Sequence, residues 1–183
     1  MYKRQVAVKT NLEIACAQDV LAIALKVKPD WALLVPESRE EVTTEGGLNV
    51  AGDEGKIRSA VDQLKQAGIQ TSLFVDPDLR QVEAAAQVGA DAVELHTGPY
   101  ALATRKQVQN ELERLKAAST AAIDAGLRLH AGHGLNYTNV RPVAKIPGML
   151  ELNIGHSIVS RAVFVGMKEA VSEMRRILDL CSP

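Results

Sequence analysis

The segment AGLRLHAGHGL, residues 125–135, decides the fold of this chain. It opens with an Ala-Gly step, and glycine commonly ends a helix because it adopts the left-handed backbone readily. Residues 127–131 then form a short run with the length of a strand, and Gly132-His133-Gly134 follows at once. The segment therefore predicts a helix end, a strand and a glycine-rich turn in direct succession.

The same order of signals recurs along the whole chain. Ala67-Gly68-Ile69 and Val88-Gly89-Ala90-Asp91 repeat the step from a helix end into a strand. Apolar periodicity predicts helices over residues 19–27, 54–67, 77–88, 104–125, 140–144 and 157–180. The intervening apolar runs predict strands over residues 6–14, 31–35, 69–75, 92–95, 127–131 and 149–154. Strands joined by crossover helices, with no hairpin signal between them, indicate an α/β fold with a parallel sheet.

The number of units limits how far this sheet can close. A (β/α)8 TIM barrel typically uses about 250 residues, and this chain has 183 residues with six predicted β/α units. We expect a TIM barrel truncated to about six β/α units, an open parallel barrel, forming a single partial domain over residues 1–183. A Rossmann-type sheet is the alternative, but no GxGxxG follows the first strand.

Composition narrows the class of partner. Apolar residues make up 46% of the chain and aromatic residues only 3%, so Ala, Val, Leu and Ile must build the core. The 21 basic and 22 acidic side chains give a net charge of -1, which favours neither nucleic acid nor an anionic membrane surface as a partner. No apolar run is long enough for a membrane span, and no signal-peptide pattern opens the chain, so we expect a cytoplasmic protein.

Two Gly-His steps follow predicted strands and are candidates for a phosphate site. The first is Gly132-His133-Gly134 and the second is Gly155-His156. Glycine lets a phosphate approach the backbone, and the N–H groups at the start of a helix point at the anion. In TIM barrels the loops after the last two strands commonly form such a site. Histidine beside it can transfer a proton near neutral pH.

Carboxylates interrupt two of the apolar strands. Glu13 lies between Leu12 and Ile14, and Glu94 lies between Val93 and Leu95. If Val93 and Leu95 pack on helices, Glu94 faces the barrel interior, where it can serve in proton transfer. A structural salt bridge is the alternative role for both carboxylates.

Metal binding is not expected from the remaining signals. His130 and His133 are three residues apart, but on a strand that spacing need not bring the two rings together. Cys16 and Cys181 lie far apart without a CxxC pair, which indicates neither a zinc site nor a disulfide framework.

Residues 36–52 form a loop too long for a plain connector, and its paired threonines and glycines favour a binding lid over an ordinary surface loop.

Seven blocks in order resemble the pyridoxine 5'-phosphate synthase family, which closes the pyridine ring of vitamin B6. The blocks are Asn11-Leu12-Glu13, Leu34-Val35-Pro36-Glu37, residues 41–47, Ser72-Leu73-Phe74-Val75-Asp76, Glu94-Leu95-His96-Thr97-Gly98, residues 131–135 and residues 151–156. The resemblance implies a TIM-barrel transferase that condenses 3-amino-2-oxopropyl phosphate with 1-deoxy-D-xylulose 5-phosphate, releasing phosphate and water. It also implies small phosphorylated substrates, no cofactor or metal, and a homo-oligomer.

The resemblance also implies roles for individual residues. Glu13 matches a catalytic proton acceptor, His133 a catalytic proton donor and Glu94 a further catalytic carboxylate. Thr43 matches a contact to deoxyxylulose phosphate. Gly134, Gly155 and His156 match contacts to the aminooxopropyl phosphate.

The chain departs from the family pattern at its start. The family opens with a strand carrying Gly-Val-Asn-Ile-Asp-His and a second strand with a catalytic histidine and phosphate-binding arginines, and no block here matches either. We therefore expect an incomplete, weakly active fragment that self-associates through open sheet edges, and we expect residues 1–5 not to be native. The alternatives are a non-catalytic phosphate-binding protein derived from the same barrel, and another phosphate-handling barrel such as an aldolase or epimerase.

Overall fold

Six parallel strands form one sheet in the computed structural model, which describes residues 5–37 and 46–181. The strands are adjacent in chain order, β1-β2-β3-β4-β5-β6. Their bounds are β1 Asn11–Ala15, β2 Trp31–Val35, β3 Gln70–Val75, β4 Ala92–His96, β5 Arg128–Gly132 and β6 Met149–Asn153. Every neighbouring pair is parallel, which confirms the predicted α/β open barrel.

Eight helices connect or follow these strands within the described residues. They are α1 Gln18–Val27, α2 Glu54–Gln66, α3 Leu79–Gln87, α4 Gly98–Leu102, α5 Val108–Asp124, α6 Val140–Ala144, α7 His156–Val165 and α8 Met167–Asp179. None of them is both long enough and apolar enough to cross a membrane. Most of the longer helices bury one apolar side, as Ile57, Val61 and Leu64 do in α2, whereas α7 has no buried residue.

The two faces of the sheet differ in chemistry. Alternate residues such as Leu34, Leu73 and Val93 are fully buried in the main core beside the helices. The intervening residues face the other way, and among them Glu94 and His130 are also buried. A parallel sheet is normally apolar on both faces. Polar side chains on the inner face therefore mark this face as the place to look for a site.

Three elements of the structure differ most from the prediction. The first strand begins at Asn11 and not at residue 6, because the ladder to β2 starts where Trp31 N donates to Thr10 O at 3.0 Å. The predicted helix over residues 157–180 is two helices, since Gly166 adopts φ 81° and separates α7 from α8. The short helix α4 was not predicted.

Both outer strands of the described sheet have one unpaired edge, since β1 pairs only with β2 and β6 only with β5. Beside β6, large apolar side chains are exposed on the strand and on α7. Leu150 is 67% exposed, Val163 80% and Phe164 84%.

Candidate active site

One cavity of about 810 Å³ lies against the inner face of the sheet and reaches the carboxyl ends of β5 and β6. Strands β1, β4 and β6, the turn after β5 and the start of α7 all contribute to it. It contains six of the seven residues that the sequence nominated: Glu13, Glu94, His133, Gly134, Gly155 and His156. The seventh, Thr43, lies outside the described residues.

Glu94 is the most buried of the acidic groups in the cavity, with 1% of its surface exposed. Its neighbours Val93 and Leu95 belong to the apolar core on the other side of β4, so the carboxylate points inward. Asn153 Nδ2 donates a hydrogen bond of 2.6 Å to Glu94 Oε2. Gly132 makes room for this arrangement, because a Cβ there would overlap Glu94 Oε1. The carboxylate is therefore held in one place by β5 and β6 together.

Glu13 reaches the cavity from the other side, on β1. Register places it beside Leu33 of β2 and, one strand further, Ser72 of β3, so all three face inward. Unlike Glu94, Glu13 is exposed to solvent. The cavity thus holds one buried carboxylate and one accessible carboxylate.

His133 occupies an unusual backbone conformation at the end of β5. Its φ is 78°, in the left-handed region that costs a non-glycine residue about 1–3 kcal/mol. Buried Thr97 holds this turn: its N–H donates to Gly132 O at 2.8 Å, and its Oγ1 lies 2.6 Å from Gly132 O and 2.5 Å from His133 O. Strain of this kind persists only where surrounding contacts fix it, and it often marks a functional residue.

Two aromatic rings surround the His133 imidazole. The Phe74 ring lies 4.3 Å from it, centroid to centroid, at an angle of 34°. The His96 ring lies 5.4 Å away and nearly perpendicular, at 87°. Despite its flanking glycines, His133 therefore packs its ring against neighbours from β3 and β4.

Behind His133, His96 pairs with Asp76 at the end of β3. His96 Nδ1 lies 3.0 Å from Asp76 Oδ1, and His96 is only 3% exposed. The hydrogen bond from His96 lowers the pKa of Asp76 below its usual value, aided by a backbone N–H of Gly47 and opposed by partial burial. Asp76 is therefore ionised at neutral pH, and it accepts hydrogen bonds from both the histidine and the loop before α2.

The N-terminus of α7 forms the wall that suits a phosphate. Gly155 is the N-cap residue, and since it has no side chain, the N–H groups of the first turn are left for an anion. Ser157 Oγ donates to Leu135 O at 2.9 Å, which ties this helix start to the turn after β5. Gly134, Gly155 and His156 thus lie around one helix N-terminus.

Several lining residues were not nominated by the sequence. Asn11, Asn136, Asn153, Ser157 and Ser160 also line the cavity. Asn153 has a signal in hindsight, because it alternates with Leu152 on β6 and should share the face of Glu151. Among the described residues, no cluster of three or more His, Cys, Asp or Glu side chains is arranged to hold a metal ion.

Parallel strands with two inward carboxylates, followed by a histidine turn and a helix N-terminus, form the type of site found in enzymes of the (β/α)-barrel class. A solved xylose isomerase domain protein from Planctomyces limnophilus has a similar fold, with a TM-score of 0.52 at 12% identity over 92% of this chain and 70% of that one. The family model for the pyridoxal phosphate biosynthesis protein PdxJ matches residues 1–180. The chain belongs to the PdxJ family.

Relatives in this family are similar over almost the whole chain. The pyridoxine 5'-phosphate synthase of Rhodopirellula baltica is 68% identical over 98% of this chain and 73% of its own length. The pyridoxine 5'-phosphate synthase of a Synechococcus strain is 58% identical over 98% of this chain and 76% of its own length. The chain thus spans about three quarters of the length of these relatives.

Proposed function

We propose that the cavity is the active site of a pyridoxine 5'-phosphate synthase. In this reaction 3-amino-2-oxopropyl phosphate and 1-deoxy-D-xylulose 5-phosphate condense to pyridoxine 5'-phosphate, phosphate and water. The names of the relatives support the product. The observation that carries the proposal is that Glu13, Glu94 and His133 line a single cavity of about 810 Å³.

The chemistry of ring closure explains why these three groups belong together. Imine formation, dehydration and aromatisation each move protons between fixed atoms of the substrate. We assign Glu13 as a proton acceptor, His133 as a proton donor and Glu94 as a further catalytic carboxylate. Glu94 is buried and hydrogen-bonded, so it holds a fixed position in the cavity.

Substrate phosphate fits the other wall of the cavity. On the family resemblance we assign Gly134, Gly155 and His156 to the aminooxopropyl phosphate, and their place beside the N-terminus of α7 suits a phosphate group. Thr43 is proposed as a contact to deoxyxylulose phosphate, on the family resemblance alone. No cofactor is part of the proposal.

The experiment is to mix the purified chain with both substrates and measure pyridoxine 5'-phosphate by its fluorescence after chromatography. Because no block of this chain matches the family's further histidine and arginines, we expect weak turnover. Glu13→Gln and His133→Asn should lower kcat further, whereas Thr43→Ala should mainly raise KM. Product formed at the same rate by wild type and His133→Asn would contradict the assignment.

A non-catalytic phosphate-binding protein is the second candidate, favoured by one observation. The N-terminus of α7 offers an anion site that requires none of the three catalytic groups. Inorganic phosphate binding without any product, in wild type at high protein concentration, would favour this alternative. For either function we propose small phosphorylated ligands, a cytoplasmic location and homo-oligomeric assembly.

A further inference from the structure

Three aromatic rings pack as a triangle beside the cavity, where Phe74 and His96 are buried and His133 is half-buried. The centroid distances are 4.3 Å from Phe74 to His133, 5.0 Å from Phe74 to His96 and 5.4 Å from His96 to His133. Only His133 lines the cavity. Both neighbours pack against its ring, Phe74 at the shorter distance and His96 edge to face.

The His96 ring is held by a polar contact at one nitrogen and by close packing at the other. Nδ1 pairs with Asp76 Oδ1 at 3.0 Å. At the opposite end, Nε2 lies so close to Gly98 that a Cβ on this glycine would overlap the ring. Within the described residues Nε2 is buried and has no hydrogen-bond partner. Asp76 thus supplies the one polar contact that determines how the ring is turned.

We propose that Asp76 and His96 are a positioning pair that holds the His133 imidazole in its catalytic orientation. This inference rests on the proposed function, since it names the residues that hold the proposed proton donor, His133, in position. Ionised Asp76 only accepts hydrogen bonds, so His96 carries its proton on Nδ1. The fixed His96 ring then sets one wall against which the His133 ring rests.

The pair resembles, in its logic, the carboxylate–histidine supports that orient metal-binding histidines. Loss of such a support typically costs about tenfold to hundredfold in activity. A structural role for the Asp76–His96 pair would affect stability without moving the His133 ring. The position of that ring is therefore the quantity to measure.

The test uses the whole chain with its histidines labelled with ¹⁵N, because it contains only four of them. The ring signals are assigned with single His→Asn variants. In Asp76→Ala and in His96→Phe, the ring signals of His133 should shift or broaden. Asp76→Asn keeps an acceptor for His96 Nδ1, so it should shift them less than Asp76→Ala does.

A matched control lies in the same loop. The Asp78 side chain caps α3 by accepting a 2.9 Å hydrogen bond from Arg80 N, whereas the Asp76 side chain pairs with His96. Asp78→Ala should lower the Tm and leave the His133 ring signals in place. This variant separates a loss of stability from a loss of positioning.

The kinetic part of the test follows kcat and KM of the same variants. Asp76→Ala should lower kcat tenfold to hundredfold with little change in KM, and Asp76→Asn should restore part of it. Unmoved His133 signals in both Asp76→Ala and His96→Phe, or equal effects of Asp76→Ala and Asp76→Asn, would overturn the positioning pair. Moved signals in a protein that makes no product would support the pair and overturn the proposed function instead.

Discussion

The substitution Gly132→Ala adds one methyl group to the cavity and perturbs Glu94 directly. A Cβ built on Gly132 would overlap Glu94 Oε1 and would lie 3.2 Å from both Glu94 Cδ and Asn153 Cβ. Ordinary contact begins near 3.4 Å, so in Gly132→Ala the carboxylate must move by about 1 Å. Such a shift also breaks the 2.6 Å hydrogen bond from Asn153.

Both consequences can be estimated. Overpacking of a buried position costs about 1–3 kcal/mol in the free energy of unfolding. A catalytic group displaced by about 1 Å costs about hundredfold in rate. Gly132→Ala should therefore lower both the stability and kcat. Urea unfolding and the pyridoxine 5'-phosphate assay measure the two effects separately.

Gly55→Ala is the matched control, because it is the same chemical change at an open site. Nothing lies within 4 Å of a Cβ at Gly55, and this glycine is in helix α2. Alanine there should raise the free energy of unfolding by about 0.5–1 kcal/mol and leave kcat unchanged. If Gly132→Ala kept wild-type kcat and stability, Glu94 would not be held where the structure places it, and its assignment would fail.

Three further predictions concern other parts of the structure. Burial lowers the pKa of His130, against the attraction of Glu151, so the unfolded chain takes up more protons and stability should fall as the pH drops below about 6.5. In urea unfolding, His130→Asn should lose this dependence of the free energy of unfolding on pH. An unchanged pH dependence would contradict the prediction. Asn153→Ala removes the hydrogen bond to Glu94 and should destabilise the protein by about 1–3 kcal/mol while lowering kcat; unfolding and activity equal to wild type would argue against this contact. The unpaired edges of β1 and β6 should promote self-association, and a stable monomer in light scattering would count against that.

Local sequence patterns were sufficient to predict the bounds of an element where its own residues determine it. The apolar run Trp31–Val35 gave the bounds of β2 without error, because all five residues are buried on both faces. The start of β1 could not be read in this way. Val6 and Val8 fit a strand pattern, but both are exposed, since they have no neighbouring strand to pair with.

The final helix shows a similar limit. Residues 157–180 keep helical periodicity on both sides of Gly166, so the pattern alone does not reveal the break. A glycine inside a helical pattern is compatible with continuation or with a turn. In the structure Gly166 has a φ of 81°, which shows that the helix is interrupted there.

The site depended on long-range register that no local pattern carries. Between β5 and β6 the register shifts after Leu129, so that His130 pairs with Glu151 and Gly132 with Asn153. The shift means that β6 has one more residue than β5 at this point. Without this extra residue, Leu152 would pair with Gly132, and an apolar side chain would face Glu94. The bulge thus brings Asn153 to the carboxylate, which is why the sequence identified Glu94 but not its partner.

The sequence did not predict the Asp76–His96 pair for a related reason. The two residues are twenty positions apart on neighbouring strands, and each is an ordinary strand-end polar residue when considered alone. The Gly-His steps, in contrast, were visible because glycine and histidine carry their chemistry in adjacent positions. Functional residues were thus predictable where one short segment holds them and not where two strands must meet.

The most direct test of the central claim is a crystal structure of this chain with pyridoxine 5'-phosphate bound. We predict the phosphate group at the N-terminus of α7, beside Gly155 and His156, and the pyridine ring within contact distance of Glu94 and His133. Product bound elsewhere on the molecule, or no product in this cavity at saturating concentration, would contradict the assignment of the cavity as the ring-closing site.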